Sequence, residues 1–354
     1  MRPIDGAFQP EHVAATIGQL QRSEMDMKPR VYVTRRLPQE GMDMLEGGCE
    51  VGFNAHDRGM TREELMACVK DADGLVTLLS DSIDAEVMDA GPKLKVIANY
   101  AVGFNNINIA AATERGIAVT NTPGVLTETT ADLAWALLMA TARRIVESDR
   151  FMRSGRFQGW APMLYLGHDI YDKTLGVVGF GRIGQAVARR ALGFNMKVLY
   201  SGRQRAPEEI ERACNASFCQ LETLLQESDF VSLHVPLTES THHLIGAAQL
   251  DMMKESAILI NTARGPVVDE KALVWALKTG KIAGAGLDVY EHEPDFEPEL
   301  AEMDNVVMVP HIGSASVATR TKMATMVARD AMDVLGGRMP AHLVNPEVWD
   351  RRRI

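Results

Sequence analysis

The chain has 354 residues, a length that suits two domains, and its hydrophobic (46%) and charged (24%) fractions are those of an ordinary soluble globular protein. A net charge of -10 argues against nucleic acid and anionic membranes as partners. The sequence has no membrane-span-length apolar run and no signal peptide, and its four cysteines have no metal-ligand spacing, so we expect a cytoplasmic protein with reduced thiols and no metal site.

The first part of the chain alternates short β-branched runs with helical patterns. Residues 1–28 are polar and weakly patterned, which predicts an N-terminal extension that is either a flexible tail or the result of a start site at Met25 or Met27. Strands are predicted at 31–34, 74–78, 94–99 and 117–121, with a helix at 61–70. A long helix follows at about 127–154, and then an irregular arm at 155–171.

A second series of strands follows the arm. Strands are predicted at 174–179, 197–201, 229–234, 257–261, 284–289 and 306–310, and a last helix at about 316–335. Strands that alternate with helices form parallel sheets covered on both faces. The sequence therefore predicts an α/β protein with two doubly wound parallel sheets.

A glycine-rich turn lies directly after the first strand of the second series. Gly179, Gly181 and Gly184 have the G-x-G-x-x-G spacing, and an apolar helix face begins at Ile183. The first glycine permits a tight turn, the second lets the backbone approach a pyrophosphate, and the third lets helix and strand pack closely. The turn, with Arg182 at its centre, therefore predicts a dinucleotide-binding site at a helix N-terminus.

The end of the next strand indicates which dinucleotide binds. NAD enzymes usually carry an acid there, about 20 residues past the turn, but no carboxylate occurs in residues 195–207. The strand ends instead in Ser201, followed by Arg203, Gln204 and Arg205, which suit a 2′-phosphate. We therefore predict a preference for NADP(H), with NAD(H) possible; the alternative is that both arginines are ordinary surface residues of a loop.

Three polar residues follow strands of the second series, where ligands of α/β sheets bind. Arg264 can hold a carboxylate, His311 can donate a proton to a carbonyl oxygen, and Glu293 beside it would favour the imidazolium form. The set suits hydride transfer to a 2-oxo acid. Among the residues alone, Glu293 is not distinguished from its acidic neighbours. Asp288, at a strand end, either bonds the nicotinamide or ribose, or caps a turn.

The motifs together resemble those of the D-isomer-specific 2-hydroxyacid dehydrogenases over about residues 30–345. They are the glycine turn, Asn261-Thr262-Ala263-Arg264-Gly265, Gly286-Leu287-Asp288-Val289, Glu293-Pro294 and Pro310-His311-Ile312-Gly313-Ser314. The resemblance assigns the catalytic roles to Arg264, Glu293 and His311 and so selects Glu293. It also implies a Rossmann coenzyme domain, residues 124–313, inserted into a flavodoxin-like substrate domain, residues 29–123 and 314–354.

Further roles are implied by the resemblance alone. It adds coenzyme contacts at Val235, Pro236, Thr262 and Ala263. It places the substrate against Leu78, Leu79, the backbone of Val102 and Gly103, Arg264 and His311. The arm around Trp160 resembles one that reaches a partner subunit, which implies a homodimer.

Two segments, 99–106 and 200–204, look like those of glyoxylate and hydroxypyruvate reductases. The resemblance thus implies an NADP(H)-preferring reductase that converts glyoxylate to glycolate and hydroxypyruvate to D-glycerate. One alternative is reduction of another 2-oxo acid, such as 2-ketogluconate. A second, of a different class, is a nucleotide-sensing protein like the corepressors of the family, which would bind coenzyme without turnover.

Overall fold

A computed structural model describes residues 28–354, so the predicted N-terminal extension lies outside the described residues except for Lys28. The strands are β1 Arg30–Val33, β2 Glu50–Phe53, β3 Gly74–Thr77, β4 Val96–Asn99, β5 Ala118–Thr120, β6 Thr174–Val178, β7 Lys197–Ser201, β8 Ala216–Phe218, β9 Phe230–Leu233, β10 Ile258–Asn261, β11 Gly284–Leu287 and β12 Val306–Met308. The α-helices are α1 Gln39–Gly48, α2 Arg62–Val69, α3 Ala85–Ala90, α4 Ile109–Glu114, α5 Thr127–Ala142, α6 Ile145–Arg153, α7 Arg182–Ala191, α8 Glu208–Cys214, α9 Leu221–Glu227, α10 Ala247–Met252, α11 Glu270–Lys278 and α12 Val317–Leu335.

The chain forms two compact units. The first holds the described residues 28–123 together with Thr321–Ile354, and the second holds Gly124–Arg320. The first unit contains a parallel sheet in the order β2-β1-β3-β4-β5, and the second a parallel sheet in the order β12-β11-β10-β9-β6-β7-β8. Both orders are doubly wound, the first flavodoxin-like and the second Rossmann-like. The predicted α/β architecture with two parallel sheets is confirmed.

In the first unit, a buried apolar sheet packs against helices. Val31 and Val33 of β1 and Val96 of β4 are buried in one cluster with Ala324 and Val327 of α12. Leucine and valine side chains of α2 and α3 cover the other face. A parallel sheet covered on both faces needs strands that are apolar throughout, and β3 and β4 are buried at every position.

Two short edge strands were not predicted. β2 begins with Glu50 and contains Gly52, and β8 has only three residues, so neither has the run of β-branched side chains that predicts a strand. Pairing explains β2, because Val31 of β1 is in register with Val51. A Cβ at Gly52 would lie 2.9 Å from the ring of Tyr32, so glycine here makes room for that ring.

The single long helix predicted at 127–154 is wrong, because the structure has two helices there. α5 ends at Ala142 and α6 begins at Ile145, and Arg144 between them has a left-handed backbone with φ of 54°. A non-glycine residue in that region interrupts a right-handed helix. No helix within residues 28–354 has the length and apolar character needed to cross a bilayer.

Candidate active site

The glycine turn lies between β6 and α7, as the sequence predicts. Gly179 has φ of 95°, and a Cβ there would lie 2.7 Å from the carbonyl carbon of His234. A Cβ at Gly184 would overlap the carbonyl oxygen of Gly179, so these two glycines let turn and helix approach each other. Gly181 is the N-cap of α7, and a Cβ there would meet no described atom within 4 Å. That open face at a helix N-terminus is where a pyrophosphate fits.

In the loop after β7, one of the two arginines predicted to bind a 2′-phosphate forms an ion pair. Arg205 donates to both carboxylate oxygens of Glu211, at 2.9 and 2.8 Å. Glu211 also accepts a hydrogen bond of 2.6 Å from Tyr200, whose ring stacks on Phe180 of the glycine turn. The hydrogen bonds from Arg205 and Tyr200 lower the pKa of Glu211 to about 2. The charge of Arg205 is therefore largely offset, a pairing that the sequence interpretation missed.

Arg203 differs from Arg205 in this respect. Its side chain is exposed, and among residues 28–354 it has no hydrogen-bond or ion-pair partner. Gln204 is also exposed, and Ser201 is half-buried at the end of β7. Among the two arginines, Arg203 is therefore the better candidate for a 2′-phosphate.

Arg264 follows β10 and is held by a close approach of two backbone segments. A Cβ at Gly265 would overlap the carbonyl of Tyr290, so the chain after Arg264 lies directly against the loop that leads to Glu293. Asn261 donates to the carbonyl of Arg264 at 3.0 Å and accepts from the amide of Ala263 at 3.0 Å. Burial lowers the pKa of Arg264, and the Glu293 carboxylate opposes that effect. A guanidinium nevertheless stays charged in proteins.

His311 and Glu293 form a hydrogen-bonded pair. Nδ1 of His311 donates to Oε2 of Glu293 at 2.8 Å, and Oε1 of Glu293 accepts from the amide of Tyr290 at 3.1 Å. His311 has φ of 51°, a sparsely populated conformation that is common at functional sites. Burial alone would raise the pKa of Glu293, but the hydrogen bond and charge of His311, together with the Tyr290 amide and the charge of Arg264, lower it overall. The pair leaves Nε2 of His311 as the nitrogen that can exchange a proton with a ligand.

Asp288 supports the loop that carries His311. Its Oδ1 accepts from the amide of Ile312 at 2.6 Å and its Oδ2 from the amide of Gly313 at 2.9 Å. The amide of His311 donates to the Asp288 carbonyl at 2.9 Å. The residue is 1% exposed, and burial raises the pKa of its carboxyl group to about 6. Of the two sequence interpretations of Asp288, the geometry favours the turn cap over a coenzyme ligand.

Other residues of the second unit also fit a dinucleotide. Val235 packs beside Gly179, and the hydroxyl of Thr262 is buried without a hydrogen-bond partner among the described residues. Nδ1 of His234 is likewise buried and unpartnered there. Pro236 is exposed and Ala263 is 8% exposed. The Thr262 hydroxyl and Nδ1 of His234 are therefore two buried polar groups to which a bound coenzyme could form hydrogen bonds.

In the first unit, asparagines orient the backbone predicted to bind substrate. Asn121 donates to the carbonyl of Val102 at 2.7 Å, and Asn99 donates to the carbonyl of Gly103 at 2.7 Å. Anchoring both carbonyls fixes the directions of the peptide groups at this turn. Asn121 ends a predicted strand and Asn99 ends β4, and only the resemblance drew attention to the turn between them.

The second predicted substrate loop, Leu78–Leu79, is held by a buried acid. Oδ2 of Asp81 accepts from the Leu78 amide at 2.8 Å and from the hydroxyls of Thr34 and Thr77 at 2.5 and 3.0 Å. Asn106 donates to the Leu78 carbonyl at 3.0 Å. Asp81 and Asn106 are therefore the residues that fix this loop; Asn106 ends the segment 99–106 noted in the sequence, whereas no sequence motif pointed to Asp81.

The chain is similar to known proteins over nearly its whole length. Residues 135–313 match the family described as D-isomer specific 2-hydroxyacid dehydrogenase, NAD binding domain. A protein of Pyrococcus horikoshii called glyoxylate reductase is 56% identical over 331 residues, which cover 92% of this chain and 99% of that protein.

Two solved structures are also similar. A protein of Thermus thermophilus aligns with a TM-score of 0.83 and 49% identity, over 89% of this chain and 99% of the other. An NADPH-dependent glyoxylate/hydroxypyruvate reductase of Sinorhizobium meliloti, solved with NADP and malonate, aligns with a TM-score of 0.80 and 33% identity, over 92% of this chain and 99% of the other.

Proposed function

Because the chain belongs to the D-isomer specific 2-hydroxyacid dehydrogenase family, we propose that it reduces glyoxylate to glycolate and hydroxypyruvate to D-glycerate, with NADPH preferred over NADH. The observation that carries the proposal is the hydrogen bond of 2.8 Å between Nδ1 of His311 and Oε2 of Glu293. Arg264 lies near enough for the Glu293 carboxylate to raise the pKa of its guanidinium. A proton donor, a carboxylate that stabilises its charged form and a cation for the substrate carboxylate are what reduction of a 2-oxo acid requires.

In this proposal each residue has a separate task. NADPH, when bound at the glycine turn, supplies the hydride. Arg264 holds the substrate carboxylate and polarises the neighbouring carbonyl. His311 delivers its proton from Nε2 to the carbonyl oxygen as that oxygen gains negative charge. Glu293 keeps the imidazole oriented through Nδ1 and stabilises the imidazolium before the transfer.

Steady-state rates of NADPH oxidation at 340 nm test the function. Glyoxylate, hydroxypyruvate and 2-ketogluconate are each assayed with the purified chain against NADPH and NADH. We expect kcat/KM to be highest for the two small acids with NADPH. A higher kcat/KM for 2-ketogluconate would contradict the proposed substrates and favour the larger acid. Coenzyme binding without turnover of any 2-oxo acid would favour the corepressor-like alternative.

Coenzyme preference depends on Arg203 in this proposal. Arg203→Ala is expected to raise the KM for NADPH about tenfold or more and to leave the KM for NADH unchanged, because a charge-assisted hydrogen bond contributes roughly 1.5–3 kcal/mol. The matched control is Arg212→Ala, which removes another exposed arginine, paired with Glu208 on α8. Equal changes for the two coenzymes would remove Arg203 from 2′-phosphate recognition.

The role of Glu293 predicts a shift in pH dependence. The lowered pKa of Glu293 keeps it ionised at neutral pH, where it accepts a hydrogen bond from Nδ1 of His311. Glutamine removes this negative charge beside the proton donor, so in Glu293→Gln the high-pH limb of kcat/KM for reduction should move to lower pH. The control Glu299→Gln changes a half-buried acid that pairs with Lys278 and should keep the wild-type profile. Identical profiles for wild type and Glu293→Gln would contradict the assignment.

An exposed apolar face of the second unit supports a homodimer. Met152, Trp160, Met163, Leu166 and Tyr171 are between 55% and 85% exposed, and they lie on α6 and the arm that follows it. Large apolar patches on a surface mark association sites, and we propose a second copy of the chain as the partner. Light scattering after size exclusion should give twice the mass of one chain, and a single-chain mass would contradict the dimer.

A further inference from the structure

A second group of ligating side chains lies outside the proposed catalytic set. His242 and His243 follow a short turn after β9, and Glu291 lies two residues before Glu293. One ligand atom from each residue lies within 4.8 Å of the other two. We propose that His242, His243 and Glu291 bind a divalent transition-metal ion such as Zn²⁺, a site that the cysteine and histidine spacings of the sequence did not predict.

Glu291 is held in place by contacts that leave one oxygen available. Its Oε2 accepts from the amide of Glu270 at 3.1 Å, and its own amide donates to Oε1 of Glu270 at 2.7 Å. Its Oε1 faces Nε2 of His243 at 2.7 Å. His243 is fixed in turn by a hydrogen bond of 2.8 Å from its amide to the carbonyl of Pro266. Two of the three ligands are therefore positioned before any ion binds.

The donor types fit zinc chemistry. Imidazole nitrogens and a carboxylate oxygen bind Zn²⁺ at about 2.0–2.2 Å, which sets tetrahedral ligand atoms about 3.3 Å apart. Nε2 of His243 and Oε1 of Glu291 would separate by about 0.6 Å as the ion replaces the proton between them. Two imidazoles disfavour Mg²⁺ and Ca²⁺, which select oxygen ligands.

His242 distinguishes a metal site from a simple ion pair. A salt bridge between His243 and Glu291 needs no third partner, whereas a metal ion gains a ligand from His242. The ring of His242 lies 4.1 Å from that of His243, at a tilt of 31°. His242 is exposed, so its side chain can move to bring a ring nitrogen to the ion. With three protein ligands, the fourth coordination position is open to water. Replacing His242 should therefore reduce metal affinity and leave the His243–Glu291 pair intact.

Calorimetric titration of the EDTA-treated full chain with Zn²⁺ tests the site. We expect one tight site per chain, an affinity lowered about tenfold or more in His242→Gln, and wild-type affinity in the matched control His292→Gln, since even outer-shell partners contribute 10–100-fold to affinity. His292 is exposed and adjacent to Glu291 but is not in the cluster. Equal affinities for wild type and His242→Gln, or no tight site, would overturn the proposal.

Cobalt provides a readout that does not depend on enzymatic activity. Co²⁺ bound by two imidazoles and a carboxylate in tetrahedral geometry gives strong visible absorption, which His242→Gln and His243→Gln should each weaken. Unchanged spectra in both variants would place the ion elsewhere and overturn the proposal. If the chain does not reduce oxo acids, the Zn²⁺ affinities and Co²⁺ spectra can still be measured and interpreted. The metal site and the proposed function are therefore tested separately.

Discussion

His311→Ala is expected to lower kcat for glyoxylate reduction by roughly 10²–10⁴-fold, the usual contribution of a positioned general acid, while the Kd for NADPH stays close to wild type. The carbonyl oxygen gains negative charge as hydride arrives at carbon, and without His311 only water can neutralise it. We expect kcat to fall without a change in the Kd for NADPH, because the glycine turn and Arg203 lie on other loops of the same unit.

The conservative control for this experiment is His311→Gln, which keeps a polar side chain that can still contact Glu293. It should be nearly as impaired as the alanine variant, because an amide cannot donate a proton as an imidazolium does. Near-normal kcat in either variant would remove His311 from the proton transfer. A large rise in the Kd for NADPH would instead indicate that the loop 311–313, held by Asp288, has moved.

Arg264→Gln should have an effect of similar size, but on kcat/KM for the oxo acid. A bidentate carboxylate contact comprises two charge-assisted hydrogen bonds of roughly 1.5–3 kcal/mol each. Their loss predicts a fall of roughly 10²–10⁴-fold, since about 1.4 kcal/mol corresponds to a factor of ten. The KM for NADPH should change little.

Arg264→Lys is the informative companion variant. It keeps the charge but loses the planar pair of donors, so we expect activity between wild type and Arg264→Gln. Added guanidinium chloride at low concentration should partly restore Arg264→Gln if the missing group is the cation that holds the carboxylate. A kcat/KM for Arg264→Gln equal to that of wild type would mean that the substrate carboxylate is bound elsewhere.

Much of the fold was predictable because the strands of a parallel sheet covered on both faces are buried along their whole length and are therefore mostly apolar. β3, β4, β9 and β10 are buried at every position, and all four were predicted. β2 and β8 are edge strands, stabilised by pairing with one neighbour rather than by their own side chains. The break at Arg144 was not predictable either, because the flanking residues are compatible with a continuous helix.

The candidate site was predictable to the extent that it depends on strand ends. Arg264 follows β10 and His311 follows β12, two strands of the same sheet, so their types and positions already indicated a shared site. Glu293 was selected among nearby acids by resemblance, and its pairing with His311 depends on the path of the loop. The Arg205–Glu211 pair could not be predicted, because it depends on how α8 returns towards β7.

The close approach of Gly265 to Tyr290 has an evolutionary consequence. Because nothing larger than a hydrogen fits there, a substitution of Gly265 would push apart the segments that bear Arg264 and Glu293, so this contact constrains both segments. In the other unit, separate hydrogen bonds hold Leu78–Leu79 and the Val102–Gly103 turn. A substitution in one of these loops therefore need not disturb the other.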